Sequence, residues 1–345
     1  MSHKVIKSLA INTDTSDARL QYLVKYGNFA MAYATLQPLM DYYEIPFKGY
    51  IGFTTTQTKL FGKKIVAFFD PVSSQQDRAY LISNFISKYP QAAFVQVSRE
   101  TAQILADSGY YINQIGVETK LWIDDFSFAG TPRSRLREAL NRGHKEGISI
   151  VEITDRFSDD DKTCLYEKMK ALSKDWMNTR KVSSREVRFI TRCAQFHDEP
   201  FVRKFITLNK NGDIEGFTFY DPIFDNGEVI GYTPSIERFS PHSVKGINYF
   251  TSIRAIDIFK RENIKVFELG LSPLYNLCPV AFKTSRLTFF IFNMLFTYGG
   301  RLYGFKGLSE HKRQYRGIEY PVFAATKARL SVGYIYNTLK HINII

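Results

Sequence analysis

Two Asn-Gly dipeptides, Asn211-Gly212 and Asn226-Gly227, sit between runs of β-prone residues and mark hairpin turns, because a type I′ turn demands positive φ at both central positions. They divide the middle of the chain into three strands, near residues 202–208, 214–221 and 228–234, which such tight turns force to pair antiparallel. A loop over 238–246, a helix over 247–263 and the short strand Val266-Phe267-Glu268-Leu269, ended by Gly270, follow. The class is therefore α/β (α+β), with mixed, mainly antiparallel sheets flanked by helices.

The first half shows a shortened form of the same order. Ile65-Val66-Ala67-Phe68-Phe69 is a buried strand stopped by Asp70-Pro71, residues 74–89 have helical spacing, and 92–97 is the next strand. Ser98 caps a helix through Asp107, and 110–122 gives strand signals around a break at Gly116. A length of 345 residues is long for one core, so two lobes are expected, 1–125 and 126–345. In the second, a splayed strand, a loop, a helix and a further strand resemble an acetyltransferase core, where that order builds a V-shaped acyl cleft. The pair is thus read as two tandem lobes of acetyltransferase (GNAT) type.

Thr131-Pro132 starts a helix that runs to Gly147, with the threonine as cap. Its apolar stripe is Leu136, Ala139, Leu140 and Gly143, while Arg133, Arg135, Arg137, Arg142 and Lys145 crowd the rest. Two amphipathic helices, 159–174 and 184–196, come next. The net charge of +12 attracts anionic partners such as RNA or lipid headgroups, and it also fits a merely solvated basic surface.

Several classes lose support. The three cysteines, Cys164, Cys193 and Cys278, are far apart, which argues against a disulfide framework or a thiolate zinc site and for a reducing, cytoplasmic compartment. Charges interrupt every apolar stretch of residues 1–20, unlike a secretory signal. The longest apolar run, 287–295, is shorter than the roughly 18 residues that a membrane span needs. No G-x-S-x-G, H-E-x-x-H, P-loop or Rossmann fingerprint occurs, and no histidines pair at i, i+4, so no metal is expected.

The last third carries a resemblance. Leu269-Gly270-Leu271-Ser272-Pro273-Leu274, Tyr303-Gly304-Phe305-Lys306-Gly307-Leu308 with His311-Lys312 and Tyr315, Tyr320-Pro321-Val322-Phe323, and the helix Leu136 to Gly147 resemble the C-terminal catalytic domain of the phosphatidylglycerol lysyltransferases. By motif it covers residues 117–323. It implies tandem acetyltransferase-like lobes that move an amino acid from aminoacyl-tRNA to a lipid hydroxyl, with no cofactor beyond that co-substrate and no DNA partner. The expected acceptor is an anionic, phosphatidylglycerol-like lipid or a small molecule, with peripheral contact at the inner face of the membrane. The family's aspartate at the end of the central strand is replaced by Ser235, with Glu237 beside the retained Arg238; Gln314 and Glu319 stand where the family tends to carry lysine and tryptophan.

An aminoacyl ester is already activated, so holding the acceptor in line and donating to the oxyanion supply much of the rate. Arg238 is the candidate grip on phosphate, or else a salt bridge with Glu237 or Asp221. Glu268, an acid in an apolar strand, faces the cleft or has a partner, and could read the donor's α-amine. Ser272 could donate to the oxyanion or simply make a turn, and His311 is a candidate acid or base. Lys306, Lys312, Tyr315 and Glu237 are candidate substrate contacts, and Arg133, Arg137, Arg142 and Lys145 candidate tRNA or phosphate contacts. Phe289, Phe290, Phe292, Phe296 and Tyr298 read as core or as a lipid groove.

Two alternatives remain. One is an N-acyltransferase using acyl-CoA or acyl carrier protein, for which His242-Ser243-Val244-Lys245-Gly246-Ile247-Asn248 offers one glycine where a pyrophosphate loop wants two. The other is a non-catalytic binder of anionic lipid or RNA.

Overall fold

The computed structural model describes residues 15–128, 130–179, 186–301, 304–329 and 331–344. Among them twelve strands join in a single mixed sheet. The first half supplies β1 (Asp41–Ile45), β2 (Gly49–Thr58), β3 (Gly62–Phe68), β4 (Val72–Ser73), β5 (Ala93–Val97) and β6 (Tyr111–Trp122), with helices α1 (Thr15–Tyr26), α2 (Gln75–Lys88) and α3 (Arg99–Asp107). The second supplies β7 (Ser149–Glu152), β8 (Arg203–Leu208), β9 (Ile214–Asp225), β10 (Glu228–Phe239), β11 (Val266–Pro273) and β12 (Ile318–Thr326). Its helices are α4 (Ser134–Lys145), α5 (Asp159–Thr179), α6 (Ile247–Arg261), α7 (Arg286–Tyr298), α8 (Phe305–Arg313) and α9 (Val332–His341).

The strands run β1-β2-β3-β5-β12-β6-β11-β10-β9-β8-β7, with β4 beside β2. Two pairs are parallel, β3 with β5 and β10 with β11, one in each half and each joined through a helix, α2 or α6. The C-terminal strand β12 inserts antiparallel between β5 and β6 and places Phe323 and Ala325 in the core formed by Phe53, Phe85, Phe94 and Ile112. The strands of the two halves expected as lobes thus join in one continuous sheet.

Local chemistry explains many boundaries. Ser74 and Ser98 cap α2 and α3 by accepting from Asp77 N and Thr101 N. At Asn226-Gly227 both residues have positive φ, as the hairpin requires. At 211–212 only Gly212 does, and the turn is a longer loop in which Asn209 Oδ1 accepts from the amides of Asn211 and Asp213. Strand β6 continues through Gly116, but its register with β12 shifts beside that glycine, where Val322 faces Gly116 and Phe323 faces Gln114.

Other expectations are corrected. Thr131 makes no side-chain cap; residues 131–133 form a 3-10 turn ahead of α4. Residues 186–196 are not helical, and 184–185 lie outside the described residues. That segment is held by distant partners instead: Arg192 donates from Nε to Asp221 Oδ2 at 2.8 Å and from Nη2 to Oδ1 at 2.7 Å and pairs with Glu199 at 2.6 Å, and Gln37 bonds the backbone of Phe189. Tyr303 and residues 1–14 also lie outside the described residues.

Candidate active site

The parallel pairing of β10 and β11 covers only Gly231 with Val266 and Tyr232 with Phe267. Beyond it β10 follows β9 while β11 follows β6 through a bulge between Glu268 and Leu271, so the two strands splay apart. Gly270 carries the bulge at φ +67°, a backbone setting that L side chains rarely adopt. Lys312 of α8 fills the opening: its Nζ donates to the Leu271 carbonyl at 2.7 Å and lies against Gly270.

Around this lysine gather groups short of partners. The Ser252 hydroxyl is within reach of Glu237, Tyr220 and Tyr315, yet it has one proton for three neighbours. Glu237 Oε1 and both tyrosine hydroxyls stay buried without a well-formed hydrogen bond. Burial pushes the Glu237 carboxyl up to about 7, against the pull of Lys312, and it pushes Lys312 down to about 8, against the pull of Glu237 and Glu118.

Glu118 opens the second part of the site, a polar cleft of about 630 Å³ between the halves. Its walls include Asp70, Arg78, Gln96, Glu118, Lys120 and Glu268. Lys120 Nζ meets Glu268 at 2.7 Å, because β6 and β11 set these two residues directly opposite each other. Burial, and then the nearby Glu268 charge, raise the Glu118 carboxyl to about 7, while Gln96 donates to it at 2.8 Å. Arg78 is buried between Asp70 at 3.8 Å and Glu100 at 3.1 Å, and Asp70 accepts from Ser98 N.

Gln96 also lines a smaller, apolar cavity of about 150 Å³ walled by Phe292, Leu295, Leu274, Tyr334 and Ile335. Of the aromatic run on α7, Phe292 is buried here, whereas Phe290 and Tyr298 are exposed, as are Leu287 and Met294. The run is therefore only partly core. Among the described residues no helix is long and apolar enough to cross a membrane, and no cluster has the makings of a metal site.

The structure brings Glu237, Glu268, Lys312 and Tyr315 to the splay and its neighbouring cleft, and spreads the other candidates. Arg238 is buried beside α5, bonded to Ser173 and Glu186 and stacked over Trp176; its acid is Glu186, not Glu237 or Asp221, since Asp221 is taken by Arg192. Ser272 is buried opposite Val117, beyond the bulge and off the cleft walls. His311 stacks on Tyr249 at 4.4 Å and meets Asn248 at 3.3 Å on the first turn of α6, and burial lowers it to about 4, so it is neutral at neutral pH. Lys306 is exposed on the first turn of α8.

Three arginines of the basic helix region fasten loops. Arg133 donates to Ser127 O and Tyr315 O, Arg137 to Phe128 O and Gly130 O, and Arg142 to Lys245 O, leaving Lys145 exposed. Sequence reasoning missed Glu118, Lys120, Asp70, Arg78 and Gln96. Glu268 stands between Phe267 and Leu269, whereas Glu118 is followed by Thr119 and Lys120 in a strand that also holds Asn113 and Gln114, so the signal that singled out Glu268 is weak at Glu118.

A mixed sheet with a splayed parallel pair, flanked by helices and holding buried acids and a lysine at the splay, is a fold that solved structures share. FemX has this fold, with TM-score 0.53 and 9% identity over 94% of this chain and 99% of that one. L-PGS from Bacillus licheniformis is closer in shape, with TM-score 0.75 and 21% identity over 94% of each chain. The family described as phosphatidylglycerol lysyltransferase, C-terminal, matches residues 21–326, and the chain belongs to it. A curated relative, phosphatidylglycerol lysyltransferase from Bacillus subtilis (strain 168), is 25% identical over 269 residues, 74% of this chain and 29% of that protein. The chain thus spans under a third of that relative's length.

Proposed function

We propose that this chain transfers an aminoacyl group from aminoacyl-tRNA to the hydroxyl or amine of an anionic, phosphatidylglycerol-like lipid or small acceptor. The observation that carries the reading is the polar cleft whose carboxyl Glu118 sits near 7 and meets an apolar cavity at Gln96. A base poised at that value takes a proton at neutral pH without holding it too tightly. Glu118 accepts the proton of the acceptor hydroxyl as its oxygen bonds the aminoacyl carbonyl carbon. The ester bond to the tRNA ribose then breaks, and the same proton passes to the departing ribose oxygen, leaving the enzyme unchanged.

Glu268 and Asp70 complement the α-ammonium of the donor, and Lys312 and Lys120 supply positive charge for the oxyanion. The apolar cavity and the exposed Leu287, Phe290 and Met294 of α7 suit a lipid acceptor presented at the inner face of the membrane. The test incubates the protein with tRNA charged with labelled amino acids and phosphatidylglycerol vesicles. Label reaching lipid, and lost with Glu118→Gln, supports the reading; label that stays on tRNA as it does without enzyme refutes it.

A further inference from the structure

A third pocket, of about 360 Å³, lies between β2, the segment at 188–189 and the C-terminal end of α9, and shares no lining residue with the polar cleft. Its floor is polar. Thr54, Thr56 and Thr58 alternate along β2 and so face one side of the sheet, opposite the side where Phe53 meets Phe85 of α2. Thr54, Thr56 and Asn337 are buried. Thr54 is bonded to His341 Nε2 at 3.0 Å and Thr58 to Asn337 at 2.6 Å, but Thr56 has only a long 3.4 Å bond to Lys64 O.

The rim is cationic. Arg188 and Lys340 are both exposed, line the pocket and make no ion pair among the described residues. His341 is held by Thr54 and by stacking on Phe189 at 4.6 Å. No described lining residue is acidic. An apolar occupant would strip water from the exposed Arg188 and Lys340 heads without return, and a cation would be repelled. An anion with several acceptor oxygens fits: the Thr58 proton is committed to Asn337, but Thr56 holds only its long bond and Thr54 can accept from His341 Nε2–H, so both can donate from below while a guanidinium takes two oxygens from the side. The volume exceeds that of a bare oxyanion and leaves room for a small organic body.

We propose that this pocket binds the phosphate group of a small phosphate-bearing molecule, gripped by Arg188 and Lys340 over the threonine floor. This site is separate from the transfer site, and its test does not depend on turnover.

Calorimetric titration with inorganic phosphate and with glycerol 3-phosphate, at constant ionic strength set with chloride, reads binding directly. The double variant Arg188→Ala/Lys340→Ala changes only exposed side chains and is expected to weaken both ligands by at least about tenfold, the factor that corresponds to 1.4 kcal/mol. Thr56→Val, which leaves the rim charges in place, is expected to weaken them by a smaller factor, separating a built pocket from a charged surface. Absence of saturable binding to the unmodified protein, or equal affinity in the double variant, overturns the proposal. Phosphatidylglycerol vesicles and tRNA are titrated in parallel. If the double variant loses either of these while soluble phosphates bind unchanged, the rim is a macromolecular contact and the small-molecule assignment fails.

Discussion

Replacing Lys120 with methionine leaves Glu268 inside the protein without its countercharge. The pair is 2.7 Å apart and Glu268 is 3% exposed. Removing one partner of such a pair costs about 3–5 kcal/mol, and the quarter-exposed Lys120 side chain argues for the lower end, about 3 kcal/mol. The loss depends on pH. Burial already raises the Glu268 carboxyl and Lys120 opposes that rise, so K120M raises it further. A folded state that binds the proton more tightly than the unfolded chain loses stability as pH climbs from the ordinary carboxylate value through the folded one. At pH 8, protonating an ordinary glutamate costs about 5 kcal/mol, from roughly 3.7 pH units at 1.36 kcal/mol each. The side chain then stays charged and the full loss of about 3 kcal/mol is felt. At pH 5.5 protonation costs only about 1.6 kcal/mol, so the carboxyl takes a proton and the loss shrinks to about that value. Urea unfolding of the parent and K120M at both pH values measures the difference, and K120M/E268Q should recover much of the loss because no charge is left to desolvate. Equal losses at the two pH values, or a double variant as unstable as K120M, would refute the reasoning.

With Glu118 near 7, the transfer rate should rise with pH through about 7 as the carboxyl loses its proton; Glu118→Gln should abolish that limb of the pH–rate profile and lower kcat by about 10²–10⁴. Arg192→Met strands Asp221, which is 1% exposed, and should cost about 3–5 kcal/mol in denaturant unfolding, with R192M/D221N recovering part of it. Gly143→Ala drives a Cβ to within 2.2 Å of the Phe250 ring where α4 crosses α6, and thermal unfolding should show a loss of about 1–3 kcal/mol that Phe250→Leu relieves.

What the sequence made legible is what is encoded locally. Ser74 and Ser98 accept from amides three residues on, and Asn226-Gly227 takes the positive φ of the turn itself, so their helices and hairpin could be placed in advance. The failure at 186–196 has the opposite origin. Its spacing suits a helix, but Arg192 reaches Asp221 29 residues on, Gln37 takes Phe189 from 152 residues back, and Phe189 itself has positive φ. Long-range polar bonds there outweigh a weak helical preference. At the site, Glu268 stood out as an acid in an apolar strand, but its partner Lys120 is set by the register of β11 on β6, which no spacing reveals. Arg238 misled for the same reason: its acid, Glu186, is 52 residues away.

The Glu118 carboxyl ties these observations together, because its protonation is governed from both halves of the chain. Asp70 and Gln96 come from the first half, Glu268 and Lys312 from the second; the two acids raise Glu118, while the lysine and the Gln96 hydrogen bond lower it. These groups converge because β12 is inserted between β5 and β6, which makes β6 interior and brings β11 against its other edge. In a sheet built from two separate lobes, β6 would be an edge, and Glu118 would face water with ordinary carboxylate chemistry. The continuous sheet makes it part of a cleft floor instead, where desolvation, not the sequence around Glu118, sets its chemistry. Lys312 then couples the cleft to the splay, since one ammonium lowers both Glu118 and Glu237.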